Sequence, residues 1–222
     1  MKSVINKIYA NTGNDSVLSL IDLSKKHKIL DIGCGRGDNA KILNQYGHII
    51  DGITLSEEEA IEAQKYMRNV LIHNLEYGLP QAILSREYDI IICSHVLEHI
   101  CYPTKVLLDI HRVLKKEGNI IVALPNLMHY KSRIQLLFGN FNYKDTGVWD
   151  YTHFRWYTFK TGRNLLEKSG FKVENAEVSG DIPLLTILNF IPSNVRQKIF
   201  SLLTFFSKGL FGGQLLYVAT KK

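Results

Sequence analysis

Glycine stands at every second position of Gly33-Cys34-Gly35-Arg36-Gly37, between the apolar run Lys28–Ile32 and a helical pattern carrying Ala40, Ile42 and Leu43. No other feature of the chain restricts its fold as tightly. Glycine tolerates positive φ and lets a ligand come close to the backbone, and the helix that follows begins with unpaired N–H groups. The block therefore predicts a strand, a tight turn and a helix, with a ligand beside the turn. A tight turn with no ligand stays open at this point, as does a dinucleotide fold with the fingerprint G-x-G-x-x-G. Counted from Gly33 the sixth position is Asp38. Counted from Gly35 the relaxed form G-x-G-x-x-A is met at Ala40.

The same alternation continues downstream. His48–Ile53, Val70–Ile72, Tyr88–Cys93 and Asn119–Leu124 are short, nearly continuous apolar runs, the pattern of parallel strands buried on both faces. Ser56–Glu59 reads as a capping box opening a helix. Pro103–Lys116 places Val106, Leu107, Ile110, Val113 and Leu114 on one helix face, with Gly118 closing it. Strand and helix alternating in this way predict an α/β fold built on a doubly wound open sheet. Past Pro125 the pattern changes. Leu127–Leu137 and Thr158–Ser169 read as helices, Phe141–Tyr157 as irregular and aromatic, and Phe171–Val178 and Gln214–Thr220 as strands. Asn14–Ser24 carries a short helix face capped by Asn14 or Asp15.

A chain of 222 residues with 45% hydrophobic and 22% charged residues is long enough for one α/β domain, and residues 1–222 are read as a single domain. The net charge of +6 favours anionic partners without choosing among them. Cys34, Cys93 and Cys101 are odd in number and form no C-x-x-C pair, which points to free thiols in a reducing compartment. With no apolar leader and no run of membrane-spanning length, the expected location is cytoplasmic.

The block Leu30–Gly37, LDIGCGRG, resembles the first motif of class I S-adenosylmethionine (SAM) dependent methyltransferases, an acidic residue followed by G-x-G-x-G. Tyr88–Ile100, YDIIICSHVLEHI, resembles the fourth-strand region of that class, and His111–Pro125 resembles its R-x-L-K-x-G-G turn and fifth strand. The resemblance implies a Rossmann-like, mostly parallel seven-stranded sheet with an antiparallel last strand, and SAM as cofactor. It implies that Asp31, Gly33, Cys34, Gly35 and Gly37 hold the methionine portion. Thr54 and Leu55 would meet the ribose, Asn74 and Leu75 the adenine, and Ser94 would lie at the end of the fourth strand. The class carries Asp or Glu where Thr54 stands and an acidic residue where Asn74 stands. Two neutral groups are thus expected at the ribose and adenine, and Thr54→Asp is expected to tighten SAM binding. Asp51, three residues earlier, falls on the opposite strand face.

On the acceptor side the richest segment is Asp150-Tyr151-Thr152-His153-Phe154-Arg155-Trp156-Tyr157. Loops after strand ends face the ligand crevice in open α/β sheets. The expectation is His153 as general base, Asp150 orienting it, and Arg155 binding an anionic group on the acceptor; the alternative is a buried structural cluster. Pro125–Gly170 resembles a methyltransferase subgroup with P-N-x-x-H followed by T-G-x-x-D-x-T-H-x-R, which implies O-methylation of a small-molecule acceptor such as a sugar or lipid-linked glycan precursor. The V-L-E-H block also resembles ubiquinone-pathway O-methyltransferases and methionine-biosynthesis relatives. No metal is expected, since the histidines are dispersed and His95 and His99 read as one pocket and one structural residue.

Residues 182–211 form an apolar helical insertion, with Arg196, Lys198 and Lys208 among Leu184, Leu185, Ile187, Leu188, Phe190, Ile191 and the phenylalanines that follow. It suits peripheral contact with an anionic membrane; a lid, a sheet cap or a homodimer surface are the other readings. No nucleic-acid partner is expected, because no N-P-P-Y-like tetrad follows the fourth strand. A SAM-binding protein without catalysis is the competing class, motivated by Thr54 and Asn74.

Overall fold

A computed structural model describes residues 12–180 and 192–222. Its centre is one seven-stranded sheet: β1 (Lys28–Ile32), β2 (Ile49–Thr54), β3 (Asn69–Ile72), β4 (Tyr88–Ser94), β5 (Leu114–Pro125), β6 (Phe171–Ser179) and β7 (Gln214–Lys221). The order across the sheet is β3-β2-β1-β4-β5-β7-β6. Neighbouring strands from β3 to β5 run parallel, while β7 is antiparallel to both β5 and β6. The expected doubly wound sheet with an antiparallel last strand is present.

α1 (Asp15–Leu18) precedes the sheet, and the crossover helices are α2 (Asp38–Leu43), α3 (Glu57–Ala63), α4 (Gln81–Leu84) and α5 (Pro103–Val113). Two apolar clusters pack on the two faces of the sheet. Ile29, Ile50, Ile90, Ile92 and Ile121 meet Val17, Ala40, Leu43 and Ala63 on one face. Leu30, Ile32, Ile53, Ile91 and Val122 meet Val106, Leu107 and Ile110 of α5 on the other. Side chains alternate along each strand, so one run of isoleucines supplies both layers.

Beyond the fifth strand come α6 (Tyr130–Leu137), α7 (Phe159–Lys168), α8 (Ser193–Phe206) and α9 (Lys208–Phe211). The α7 N-terminus is closed by a Thr158–Thr161 capping box. Gly162 lets this helix lie on the sheet, because a Cβ there would sit 2.7 Å from the Tyr217 hydroxyl oxygen, which donates to the Phe159 carbonyl at 2.9 Å.

Two expectations differ from the structure. The helix expected over Pro103–Lys116 stops at Val113, because Leu114 is already extended and pairs with Tyr88 of β4. Gly118 does not close that helix: it lies within β5, where a Cβ would stand 2.9 Å from the Asp89 carbonyl oxygen. The part of the apolar stretch 182–211 that lies among the described residues, 192–211, is mainly helical. Leu184, Leu185, Ile187, Leu188, Phe190 and Ile191 lie outside them.

Candidate functional site

The glycine turn is fixed from both sides. The N–H groups of Gly33 and Cys34 both donate to the Ile53 carbonyl, at 2.8 and 2.9 Å. Gly33, Gly35 and Gly37 all have positive φ (71°, 52° and 82°), but they serve different ends. A Cβ on Gly33 would run into Val96 at 2.3 Å, and one on Gly37 would meet the Ala63 backbone at 3.0 Å. One on Gly35 would meet only Glu59 Oε1, at 3.9 Å. Gly33 and Gly37 thus let the turn pack, and Gly35 opens it toward a cavity.

That cavity has a volume of about 750 Å³ and lies outside the carboxyl ends of β1, β2 and β4, where open α/β sheets bind their ligands. Gly33, Cys34, Gly35, Thr54, Leu55, Asn74, Leu75 and Ser94 line it at one end, and Asp150 and His153 at the other. Gly13 and Asn14 line it from the N-terminal side. Asn14 caps α1, as expected, and its side-chain amide donates to Ser94 Oγ and Gln214 Oε1 at 3.0 and 2.9 Å.

Several expected residues take other places. Gly37 does not line the cavity but supports the turn. Asp31 is fully buried at the end of β1, reached by Asn39 Nδ2 at 3.5 Å. Burial pushes its carboxyl up to about 7, and the charge of Asp38 adds to the rise. Arg155 does not line the cavity either: its Nε and Nη2 both donate to the Cys101 carbonyl, at 3.0 and 2.7 Å. With the Phe154 and Arg155 N–H groups on the Glu98 carbonyl at 2.9 and 3.1 Å, it staples the 150–157 segment to the loop after β4. Asp51 lies away from the cavity. Burial opposes its ionisation, yet bonds from Arg68, Asn69, Tyr88 and Arg86 hold its carboxyl at about 2.

The two neutral positions have acidic neighbours that spacing along the sequence does not reveal. Glu59 turns its buried carboxylate into the wall, where it accepts from the Thr54 hydroxyl at 2.5 Å. Ser56 still caps α3 by accepting from the Glu59 N–H at 3.4 Å, so only half of the expected capping box forms. A carboxylate thus stands beside Thr54, supplied by α3 five residues further on. Asn74 Oδ1 accepts from the Glu76 N–H at 3.0 Å, so this oxygen serves first as a local cap. Glu76 lines the cavity beside it.

At the far end Asp150 and His153 each meet a partner within the same segment. Asp150 Oδ1 accepts from the Thr152 N–H and hydroxyl, at 2.9 and 2.7 Å. His153 Nδ1 meets the Val148 carbonyl at 3.2 Å. A carbonyl only accepts, so Nδ1 carries the proton and the lone pair lies on Nε2. Burial lowers the His153 pKa below the usual histidine value. Glu98, which sequence alone does not single out, is completely buried beside it. Burial raises its carboxyl, but the hydrogen bond from His95 and the charges of His95 and His99 outweigh that and hold it below the ordinary glutamate value. His95 has a φ of 55°, the one positive value outside glycine among the described residues. That turn lets its ring reach both Glu98 Oε1 and Gln214 Oε1, at 3.2 and 2.5 Å.

A family described as a methyltransferase domain matches residues 9–176. A ubiquinone biosynthesis O-methyltransferase of Coxiella burnetii is 28% identical over 141 residues, which cover 60% of this chain and 59% of that protein. One from Pseudomonas entomophila is 27% identical over 45% of this chain and 44% of its own length. The chain thus matches about half of these curated relatives' length. Among solved structures, a SAM dependent methyltransferase from Archaeoglobus fulgidus superimposes with a TM-score of 0.64 at 22% identity, over 90% of this chain and 88% of that one. The magnesium protoporphyrin IX methyltransferase of Synechocystis PCC 6803, solved with bound S-adenosylhomocysteine, gives 0.62 at 16% identity, over 94% and 81%. These likenesses are of fold.

Two outcomes follow for the strand behind the turn and for the cavity wall. The Asp31 carboxyl ionises at 3.8 in an unfolded chain and near 7 in the folded one. Its contribution to stability is therefore complete below pH 3.8 and is lost as the pH rises to about 7. Asp31→Asn is expected to melt progressively above the wild type as the buffer moves from about pH 5 to pH 8, read by thermal denaturation without ligand. A constant difference across that range contradicts a buried charge at this position. Thr54→Asp, by contrast, sets a second carboxylate against Glu59, and like charges at such range repel. Calorimetry is expected to give weaker SAM binding in Thr54→Asp, by about tenfold, reversing the expectation from sequence. Tighter binding shows that Glu59 is not the ribose carboxylate.

Proposed function

The chain belongs to the methyltransferase-domain family, a SAM-dependent class, and from that membership we propose that it transfers a methyl group to a hydroxyl of a small-molecule acceptor. The observation that carries this reading is a single cavity with the glycine turn at one end and two histidines at the other. The cofactor end fits SAM in chemistry. Gly35 leaves open backbone where a Cβ would stand, Asp31 stands behind that lining as a buried acid, and the Thr54–Glu59 pair suits a diol. In this reading Asp31, Gly33, Cys34 and Gly35 hold the methionine portion, Thr54, Leu55 and Glu59 the ribose, and Asn74, Leu75 and Glu76 the adenine, with Ser94 between the two ends. SAM, when bound, supplies an electrophilic methyl group on a sulfonium.

Such a transfer needs chiefly that the acceptor oxygen be placed in line and relieved of its proton. His153 is oriented by Val148 with its lone pair on Nε2, at the end of the cavity where the acceptor hydroxyl would lie. Asp150 holds the turn through Thr152 and acts as a positioning residue. The T-G-x-x-D-x-T-H-x-R segment favours a sugar or lipid-linked glycan precursor, located in the cytoplasm. The ubiquinone-pathway relatives favour a quinone-like phenol instead; both are hydroxyls. An acceptor screen over the two classes decides between them. With an acceptor found, His153→Ala is expected to lower kcat by at least 100-fold while the Kd for SAM stays within about twofold. Unchanged turnover removes His153 from the reaction.

A lipid-linked or lipophilic acceptor also gives the exposed apolar helices a purpose. Leu137 and Phe138, at and just beyond the end of α6, and Leu202, Phe205 and Phe206 of α8, are more than half exposed. Not one Asp or Glu occurs from 118 to 144 or from 182 to 222. Lys131, Arg133, Lys144, Arg196, Lys198, Lys208, Lys221 and Lys222 are the charges there. Apolar side chains among cations, with no acids, complement an anionic lipid surface. No helix among the described residues is long and apolar enough to cross a membrane, so the contact is peripheral. Sedimentation with phosphatidylglycerol vesicles is expected to carry the protein down, and Phe205→Ser with Phe206→Ser to weaken this at least tenfold. Equal binding by the double variant dismisses the membrane reading of α8.

A further inference from the structure

We propose that Glu98, His99 and His153 hold a divalent transition-metal ion at the acceptor end of the cavity. One donor atom from each lies within 4.8 Å of the others. Glu98 and His99 come from the loop after β4, and His153 comes from the segment after α6. That loop and that segment are joined by the Glu98 carbonyl, which accepts from the N–H groups of Phe154 and Arg155.

Proximity alone carries little weight; the protonation pattern carries more. His99 Nδ1 meets the Thr152 hydroxyl at 3.0 Å and the Thr152 carbonyl at 3.3 Å. The hydroxyl already donates to Asp150 at 2.7 Å, and the carbonyl only accepts, so His99 Nδ1 carries the proton. His153 Nδ1 carries its proton to Val148. Both rings are thus set in the tautomer with the lone pair on Nε2. Metal-binding histidines are usually fixed this way, through the second nitrogen by a carbonyl or a carboxylate. Here the Asp150–Thr152–His99 chain does so for one ring and the Val148 carbonyl for the other. The third donor is the strongest clue. Glu98 is fully buried, its Oε1 takes His95, and its Oε2 has no hydrogen-bond partner. A buried carboxylate oxygen without a partner is rare and costly, and a cation is one of the few groups that satisfies it.

Two neutral imidazoles and one carboxylate form a ligand set typical of zinc, manganese or ferrous iron in catalytic sites, with coordination positions left open. The assignment of an open position to the acceptor oxygen rests on the reading proposed above; the ion site itself does not. In that role the cation increases the acidity of the acceptor hydroxyl, whose proton passes to water. The O–CH3 bond forms as the S–CH3 bond breaks, with that electron pair returning to sulfur. His153 then serves as a ligand and not as the proton acceptor.

The test uses the full chain without a histidine tag, stripped with EDTA and titrated with Zn2+ or Mn2+ in the absence of SAM. One ion per chain is expected, with Co2+ giving visible absorption characteristic of histidine ligation. His153→Gln and His99→Gln are each expected to lose at least tenfold in ion affinity. Thr152→Val, which removes the hydroxyl bridging Asp150 and His99 and leaves all three donors in place, is expected to lose roughly 10- to 100-fold. SAM affinity within about twofold of wild type verifies that each variant is folded. A wild type that binds SAM but takes up no ion overturns the proposal, as does uptake that none of the three variants weakens. A wild type that takes up one ion but binds no SAM supports the site and defeats the cofactor reading instead.

Discussion

The pair of hydrogen bonds from Gly33 and Cys34 to the Ile53 carbonyl ties the turn after β1 to the end of β2. Everything that gives this cavity its shape depends on that clamp. It fixes two strand ends at one level, so that the residues after β1 and β2 face a common space. It requires positive φ at Gly33, where a side chain would also strike Val96. It leaves Gly35 as the point where backbone stands open beside the Glu59 carboxylate. The apolar strands supply the rigid support on which such a turn is worth building. Their isoleucines bury one cluster on each face and hold the strand ends in register.

A second element of organisation lies at the opposite end of the cavity. The 150–157 segment is irregular, yet it is tied down by the Glu98 carbonyl, by Arg155 on the Cys101 carbonyl, and by Asp150 on Thr152. Its backbone polar groups are satisfied locally, so the loop can be specific without being part of the sheet. The consequence is two histidines with defined tautomers beside a buried carboxylate. The site has an acid-rich, glycine-backed end and a histidine-rich end, which is the division of labour expected of an enzyme that binds a large cofactor and a separate acceptor.

Much of the fold is legible in the sequence because its signals are local. Lys28–Ile32 into Gly33–Gly37 declares a strand and its turn, and apolar runs of strand length declare the parallel sheet. The end of the Pro103 helix is not legible, because pairing of Leu114 with Tyr88 overrides a helical pattern that continues through Lys116. In the site, the residues that follow strand ends lie where expected: Thr54, Leu55, Asn74, Leu75 and Ser94 line the cavity. Glu59 escapes notice because three-residue spacing from Ser56 gives it a sufficient local role as a cap. Its reach to Thr54 depends on where α3 leaves the strand. Glu98 escapes notice because a buried carboxylate has meaning only with its partners, and His153 lies far along the chain. The Arg155 guanidinium, expected on a ligand, is claimed by a neighbouring carbonyl, a distinction that spacing alone does not make.

The central claim is that the glycine turn and the Thr54–Glu59 wall form a SAM site. Isothermal titration of the full chain with SAM, with S-adenosylhomocysteine and with NAD tests it most directly. Saturable binding of the first two at one per chain, and none of the third, is the predicted result. Binding of NAD, or of none of the three, contradicts it.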